Sequence, residues 1–195
     1  KTWERTFRRA GLPLAYSQGF HPQPRINLAC ALPLGFTSQA EVMDFWLEHE
    51  MDVSETKAAL AASLPPGIII ESIMEVAGRE PALQVQVQSA VYEMTLLETI
   101  PDLDQQIVKI LSATSIQRER RGKVYDLRAL IESLTRLPDL QNGWQRLEAK
   151  LSAQESATGR PEELLDVLGS QPRFARIHRT QLIFAEKTST EPEKM

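Results

Sequence analysis

The sequence predicts an α+β fold of two tandem ferredoxin-like units, each with the element order βαββαβ, the first lacking its N-terminal strand. Three observations lead to this fold. The first 76 residues read as helix, strand, strand, helix and strand, which is the βαββαβ order without its first strand. A linker follows at Gly78–Pro81, and after it the full order of strand, helix, strand, strand, helix and strand appears. We therefore expect one unit at residues 1–78, a second at 79–187 and a disordered tail at 188–195.

The first helix is predicted from apolar residues at helical spacing. Trp3, Phe7 and Ala10 recur on one side, and Gly11 supplies the end of the helix. The helix opens at Lys1 without a capping residue, so we expect a strand to precede it in a longer polypeptide.

The remaining helices are predicted from their first turns. Asp52 with Glu55 three residues later forms a capping-box pattern, and Asp102 with Gln105 forms another. Pro161, followed by two glutamates, opens a short last helix, because proline suits the first helical position and acids suit the N-terminal end of the helix dipole.

The strands of the first unit are predicted from alternation and β-branched residues. Residues 25–34, with Cys30 on their apolar side, and residues 42–47 are expected to be paired strands. A run of isoleucines opens a further strand over residues 68–76.

The strands of the second unit are predicted at residues 84–97 and 175–185 and in two regions between them. Residues 116–130 form a basic strand or hairpin arm, with residues 144–153 as its expected partner. Residues 131–142 carry leucines at a spacing that favours an extra helix.

Composition excludes several classes of protein. No apolar run is long enough to span a bilayer, and a hydrophobic content of 42% is that of a soluble protein with a core. The single cysteine, Cys30, excludes an internal disulfide framework, and with three scattered histidines it makes a self-contained zinc or iron–sulfur site improbable. We expect no metal site in this chain and a cytoplasmic, reducing compartment.

Charge is distributed unevenly along the chain. Residues 1–30 carry five basic residues against one acid, and residues 114–128 carry five against two, whereas residues 31–113 carry thirteen acids against three bases. The overall net charge of −4 argues against indiscriminate nucleic-acid binding, but the two basic segments leave a localised anion site open. The alternative is that these basic residues only solvate the surfaces of their elements.

The run Tyr16–Arg25 is the most unusual local segment. Gly19 allows a turn that a side chain would forbid, and two prolines stiffen the loop. Such a loop holds Ser17, His21 and Arg25 at low entropic cost, which suits binding of a phosphate or carboxylate. The alternative is a rigid connection whose histidine only bonds to backbone.

The run Arg118–Arg128 is the second candidate surface. A bend at Gly122 would make it a basic hairpin with Tyr125 available for stacking on a base. The pattern is compatible with RNA binding, and equally with an exposed edge that charge protects from aggregation.

As a straight strand, this run would divide its charge between two faces. Arg118 and Arg120 would share one face, and Arg121 and Lys123 the other. Only part of the charge could then converge on one ligand.

The sequence resembles the radical-SAM-associated domain family of unknown function in several short stretches. They are Arg8–Arg25, Leu32–Gly35, Glu41–Asp44, Leu64–Gly67, the segment Arg118–Arg128, Gly159–Pro161 and Arg179. Members of that family occur fused behind, or encoded beside, cobalamin-binding radical SAM proteins. The resemblance therefore implies an accessory role beside a radical SAM protein or domain. It also implies that S-adenosylmethionine, an iron–sulfur cluster and cobalamin are bound by that partner, with no cofactor in this chain. The family motif positions are Ser17, Gly19, His21, Arg25, Lys123, Asp126, Arg128 and Arg160.

These observations give three hypotheses of function. The first is a substrate-recognition module without catalytic residues of its own, binding RNA or a ribonucleoprotein for the radical SAM partner. The second is a protein–protein adaptor that docks on the radical SAM domain without nucleic acid. The third is an RNA-processing or base-modifying enzyme with His21 as general acid–base.

In the first hypothesis, basic residues of both segments gather into one electropositive cleft. The phosphate contacts expected are Arg8, Arg9, Arg25, Arg118, Lys123 and Arg128, and the contacts to bases or sugars are His21 and Tyr125.

Overall fold

The computed structural model describes residues 1–76 and 80–186 of the chain. Within them the helices are α1 (Thr2–Arg9), α2 (Val53–Ser63), α3 (Leu83–Gln86), α4 (Leu103–Ser112) and α5 (Pro161–Val167). The strands are β1 (Ile26–Leu28), β2 (Thr37–Ser38), β3 (Met43–Phe45), β4 (Val87–Leu96), β5 (Gln117–Arg120), β6 (Lys123–Asp126), β7 (Ile131–Leu137), β8 (Arg146–Gln154), β9 (Ala157–Thr158) and β10 (Ala175–Phe184). The α+β class is thereby confirmed.

The chain divides into two compact units. The first contains residues 1–28 and 43–83, and the second contains residues 29–42 and the described residues from Gln84 onward. Residues 29–42, which the sequence places in the first domain, therefore belong to the second unit. The predicted linker lies partly, and the predicted tail entirely, outside the described residues.

The first unit is built around two helices. Phe7 of α1 and Leu60 of α2 are buried together with Leu12 and Leu14 of the following segment. The ring of Phe45 packs on Phe7 with a centroid distance of 4.8 Å. This packing fixes which side of α1 faces the core and leaves its basic side in solvent.

The predicted strand pair of the first unit is confirmed, although both strands are shorter than expected. β1 pairs antiparallel with β3, with Asn27 opposite Asp44. The expectation that β1 continues through Cys30 is wrong. Residues 29–42 instead leave β1 and place β2 parallel to β10 in the second unit.

The predicted strand at residues 68–76 is also wrong. Ile70 and Ile73 pack against the core of the first unit, whereas Ile69 is 80% exposed, and no ladder forms in this segment. In a βαββαβ sheet the fourth strand pairs only with the first. Among the described residues, no strand lies beside this β-branched run to pair with it.

The second unit contains a six-stranded sheet. Its main path has the order β2-β10-β4-β8-β7, and β9 pairs with the end of β8. Along the chain, β4, α4, β7, β8, α5 and β10 follow the order βαββαβ, and the four strands pair antiparallel as β10-β4-β8-β7. The tandem of two such units stays a prediction, because the first unit has only a two-stranded sheet in its described residues.

The core of the second unit lies between one face of the sheet and helices α4 and α5. β4 and β8 contribute alternate residues to it, Met94 and Leu147 among them, and the helices contribute Ile107, Leu164 and Leu165. The predicted helices at these positions are confirmed, and so are the strands at β4 and β10.

Two predictions about the middle of the second unit are wrong. In place of the helix expected at residues 131–142, the structure has the strand β7. The register of β7 against β8 shifts between Ile131 and Ser133. This bulge places Ile131 and Leu134 on the same face, so a strand produces the three-residue spacing of a helix. The partner predicted for the basic arm, residues 144–153, instead pairs with β4 and β7, because its alternate apolar residues belong to the core.

The two predicted capping boxes have different outcomes. Asp52 caps α2, accepting hydrogen bonds from the backbone N–H groups of Ser54 and Glu55 at 2.8 and 3.0 Å. Asp102 precedes α4 in the left-handed region, with φ of 49°, and its side chain makes no cap hydrogen bond. The helix prediction there is confirmed, and the capping interaction is wrong.

Candidate nucleic-acid interface

Helix α1 presents its basic residues to solvent. Lys1, Arg5, Arg8 and Arg9 are exposed, whereas Phe7 is fully buried on the opposite side. Helical geometry places the residues at positions 1, 5 and 8 in one row. The result is a cationic face, which we call the α1 surface.

The α1 surface carries almost no internal compensation. In the part of the chain that the structure describes, its one ion pair joins Arg8 to Glu4 at 3.4 Å, and the Arg8 side chain remains 73% exposed. An exposed pair of this kind contributes about 0–1 kcal/mol and competes weakly with an external anion. Arg9 makes only a 3.5 Å contact from its guanidinium to the hydroxyl of Thr6.

The loop between Tyr16 and Arg25 is closed by short hydrogen bonds. The backbone N–H of Ser17 donates to the carbonyl of Gln23 at 2.8 Å, and the N–H of Gln23 donates to the Ser17 hydroxyl oxygen at 2.9 Å. Tyr16 and Pro24 form an adjacent bridge. The Ser17 side chain therefore closes the loop, which gives this predicted binding residue a structural role.

The tip of this loop is fully in solvent. Gly19 adopts φ of 130°, which a side chain would rarely allow, and Phe20 next to it is 102% exposed. His21 is exposed, and within the described residues its ring has no hydrogen-bond partner. The histidine is thus available to a ligand, but no acid orients it as a general base.

Arg25 is held at the base of the loop. Its guanidinium lies 4.7 Å from the centroid of the Trp46 ring, and its backbone N–H donates to the carbonyl of Ala15 at 2.8 Å. Stacking on tryptophan leaves the edge of the guanidinium free to donate hydrogen bonds. Arg25 is therefore an exposed and oriented cation.

In the second unit, β5 and β6 form the predicted hairpin. A two-residue turn at Arg121 and Gly122, with φ of 51° and 75°, joins them and places Arg120 opposite Lys123. Directly paired residues share a face, so Lys123 lies on the face of Arg118 and Arg120. The expected division of charge is therefore wrong, because the turn reverses the strand before Lys123.

The root of the hairpin is fixed to α5. The Arg118 guanidinium donates to Glu163 at 3.0 Å and also pairs with Asp166. Tyr125, opposite Arg118, packs against the core, and this burial, together with Glu163, raises the pKa of its phenol. Arg118 is already neutralised and Tyr125 is half-buried, so both residues anchor the hairpin.

Asp126 and Arg128 stabilise the backbone around the hairpin. The Asp126 carboxylate accepts the backbone N–H groups of Ile116 and Arg128 at 2.8 and 2.9 Å, and hydrogen bonding led by Ile116 lowers its pKa. The Arg128 guanidinium donates to the carbonyls of Ile131 and Leu111 at 2.9 and 3.1 Å. Both are predicted binding residues that the structure places in internal contacts.

The free charge of the hairpin lies at its tip. Arg120, Arg121 and Lys123 take part in no ion pair within the described residues, and the last two are exposed. Of these three, only Lys123 is among the predicted site residues. Arg120 and Arg121 could have been found by testing the register that a two-residue Arg121-Gly122 turn imposes on the strands.

Arg160 lies immediately before α5 and is exposed. Gly159 beside it is buried, and a Cβ atom there would lie 3.1 Å from both the Leu130 carbonyl oxygen and the Leu151 Cβ. In the Gly159-Arg160-Pro161 motif, the glycine therefore allows its backbone to lie close to Leu130 and Leu151. The arginine is an exposed cation, and the proline is the first residue of α5.

Arg179 organises a buried cluster that the sequence does not single out as a site. It is 0% exposed, and its guanidinium donates to the carbonyls of Cys30 and Ala31 at 2.8 and 3.2 Å. It also lies 5.6 Å from the ring centroid of Tyr92, whose pKa is raised by burial. The cluster holds the segment 29–42 on the sheet.

Among the residues that the structure describes, no group of three or more histidine, cysteine or acidic side chains is placed to hold a metal ion. None of the described helices is both long and apolar enough to cross a membrane.

The predicted site residues thus fall into an exposed set and an internally bonded set, and each set has members in both units. Arg8, Arg9, Gly19, His21, Arg25, Lys123 and Arg160 are exposed, whereas Ser17, Arg118, Tyr125, Asp126 and Arg128 make contacts within their own unit. The expectation that basic residues of the two segments, 1–30 and 114–128, gather into one cleft concerns residues of both units. It stays a prediction.

A protein-family model matches most of the chain. The model of a family described as "Uncharacterized protein conserved in bacteria (DUF2344)" matches residues 1–161. No curated protein matches the chain.

Proposed function

The chain belongs to this bacterial family, and we propose that its function is the recognition of RNA. The family match covers residues 1–161, which include both the α1 surface and the basic hairpin of β5 and β6. The protein is then an accessory module of the cytoplasm that presents RNA or a ribonucleoprotein to a radical SAM partner. The resemblance of its N-terminal motif supports the partnership. S-adenosylmethionine, the iron–sulfur cluster and cobalamin would be bound by that partner.

The observation that carries this proposal is the α1 surface. Lys1 and three arginines of α1 form this surface, and within the described residues Glu4 is the acid paired with it, 3.4 Å from a guanidinium that stays mostly in solvent. Phosphate groups bind such a surface by releasing their counterions, and the binding needs no base contact. The acidic residues 31–113 disfavour binding along that segment.

The hairpin tip adds a second set of cations. Arg120, Arg121 and Lys123 project beyond the root that Arg118 fixes to α5. A ligand that reaches this tip meets charges that no acid within the described residues pairs with. We do not assign this role to Arg118 and Arg128, because Arg118 is paired with Glu163 and Asp166 and the Arg128 guanidinium donates to backbone carbonyls.

A gel-shift titration against bulk tRNA and rRNA fragments tests the proposal. With four phosphates neutralised, we expect the affinity to fall about 100-fold between about 50 and 200 mM salt. The double variant Arg5→Gln with Arg8→Gln should reduce the slope of log K against log salt by about 1.4–1.8.

The matched control is Lys57→Gln with Lys109→Gln, which removes the same charge outside both basic surfaces. Its slope should equal that of the unmodified protein. Absent or salt-independent RNA binding would refute the proposal. Normal docking on the radical SAM protein without RNA binding would favour the adaptor hypothesis instead.

A further inference from the structure

The loop tip at Phe20 has a property that binding of phosphate alone does not require. Phe20 is 102% exposed, so its whole ring is in water. Exposure of a large aromatic side chain to water is unfavourable by comparison with its burial. A ring held in this way has both faces available for a ligand.

The loop that carries Phe20 is preorganised. The hydrogen bonds between Ser17 and Gln23 close it at 2.8 and 2.9 Å, and the Tyr16–Pro24 bridge continues the closure. Prolines at positions 22 and 24 restrict the backbone further. Binding of a ligand to Phe20 therefore costs little conformational entropy in this loop.

The surroundings of Phe20 identify the kind of ligand. Among its neighbours along the chain, Gln18, His21 and Gln23 are exposed and polar. Protein partners usually bury an aromatic residue within a larger packed patch. A single exposed ring on a rigid polar loop fits a planar partner that stacks on it.

We infer that Phe20 stacks on an unpaired base, which makes single-stranded RNA the substrate class. This inference rests on the proposed function, since the α1 surface, which precedes the loop in the same unit, supplies the phosphate contacts. A base within a duplex is already stacked on its neighbours and offers no free face to the ring. Only an unpaired or extruded base can use Phe20.

Fluorescence anisotropy with a labelled 12-nucleotide RNA, either single-stranded or annealed to its complement, tests the inference. The full chain should bind the single strand more tightly than the duplex. Phe20→Ala should weaken binding of the single strand at least about fivefold and leave the duplex affinity unchanged. Phe20→Trp should restore single-strand binding, because tryptophan also stacks.

Leu34→Ala is the matched control, since Leu34 is 104% exposed but aliphatic. Its affinity for either form of RNA should equal that of the original protein. Because Phe20 makes no core contact, its loss should not alter thermal stability. Equal binding of both RNA forms, or an unchanged single-strand affinity in Phe20→Ala, overturns the inference and leaves the proposed function standing. Absence of binding to either RNA overturns the proposed function itself.

Discussion

The Arg179 guanidinium donates through one nitrogen to both the Glu41 carboxylate and the Cys30 carbonyl, each at 2.8 Å. Glu41 and Cys30 lie at opposite ends of the segment that leaves β1 and returns to β3, and Arg179 lies on β10. One buried cation therefore closes this segment on the sheet. Its Nε atom is buried and has no hydrogen-bond partner among the described residues, so these contacts must offset the desolvation of the cation.

Arg179→Met should destabilise the protein by about 2–4 kcal/mol, because two carbonyls and a carboxylate would be left without their donor. Urea unfolding followed by circular dichroism measures the change. Arg176→Met on the same strand is the control, since Arg176 is exposed and only stacks on Trp144 at 5.0 Å. Equal destabilisation in the two variants would contradict the assigned role of Arg179.

Gly159→Ala should destabilise the second unit by about 1–3 kcal/mol through overpacking. The added Cβ would lie 3.1 Å from the Leu130 carbonyl oxygen, which is backbone and cannot move aside cheaply. The same unfolding measurement checks this, with the exposed Ser156→Ala as the control. A Gly159→Ala protein as stable as the original would mean that the backbone relaxes around the new methyl group.

Asp52→Ala should lower the melting temperature at neutral pH. The Ser54 hydroxyl and then the Glu55 backbone N–H bond the ionised Asp52 carboxylate and lower its pKa from 3.8. A lowered pKa in the folded state stabilises the protein above the unfolded pKa, and this contribution is lost as the pH falls through the folded pKa.

The difference in melting temperature between the two proteins should therefore shrink below about pH 4 and disappear in stronger acid. Circular dichroism melts between about pH 2 and 7 measure it. Glu50→Ala removes the same charge from a nearby exposed position and should change little. A difference that persists unchanged to the lowest pH would show that the cap does not depend on ionisation.

The sequence could predict those elements whose signals are local. Spaced apolar residues identify α1, and capping chemistry identifies the start of α2 at Asp52. The wrong predictions share a different cause, since each depends on a neighbouring strand. The strand at residues 68–76 has nothing to pair with in the described residues, and the bulge at Ile131 gives a strand the spacing of a helix.

The candidate site could be predicted only in part, for a similar reason. Residue types identify a basic segment, but whether a cation is free depends on contacts with residues far along the chain. Arg118 meets Glu163 and Asp166, more than forty positions away, and no local pattern reports that pairing. Arg120, two positions further along, keeps its charge unpaired within the described residues.

This difference between neighbouring arginines gives the last prediction. Arg118→Gln should free the hairpin from α5 at a cost of about 1 kcal/mol, because the pair is partly exposed. Hydrogen exchange of the amides from Gln117 to Asp126 should accelerate in this variant, since the opening of the hairpin becomes easier. The salt slope of RNA binding should stay the same, because Arg118 was not available to phosphate.

The matched variant, Arg120→Gln with Lys123→Gln, should behave in the opposite way. Its amide exchange should stay close to that of the original protein, because neither side chain anchors the hairpin. Its salt slope should fall by about 0.7–0.9 for each phosphate that the variant no longer neutralises. A lower salt slope in Arg118→Gln would contradict this assignment. It would mean that Arg118 leaves its ion pairs with α5 to contact RNA, and that the base of the hairpin is part of the binding surface.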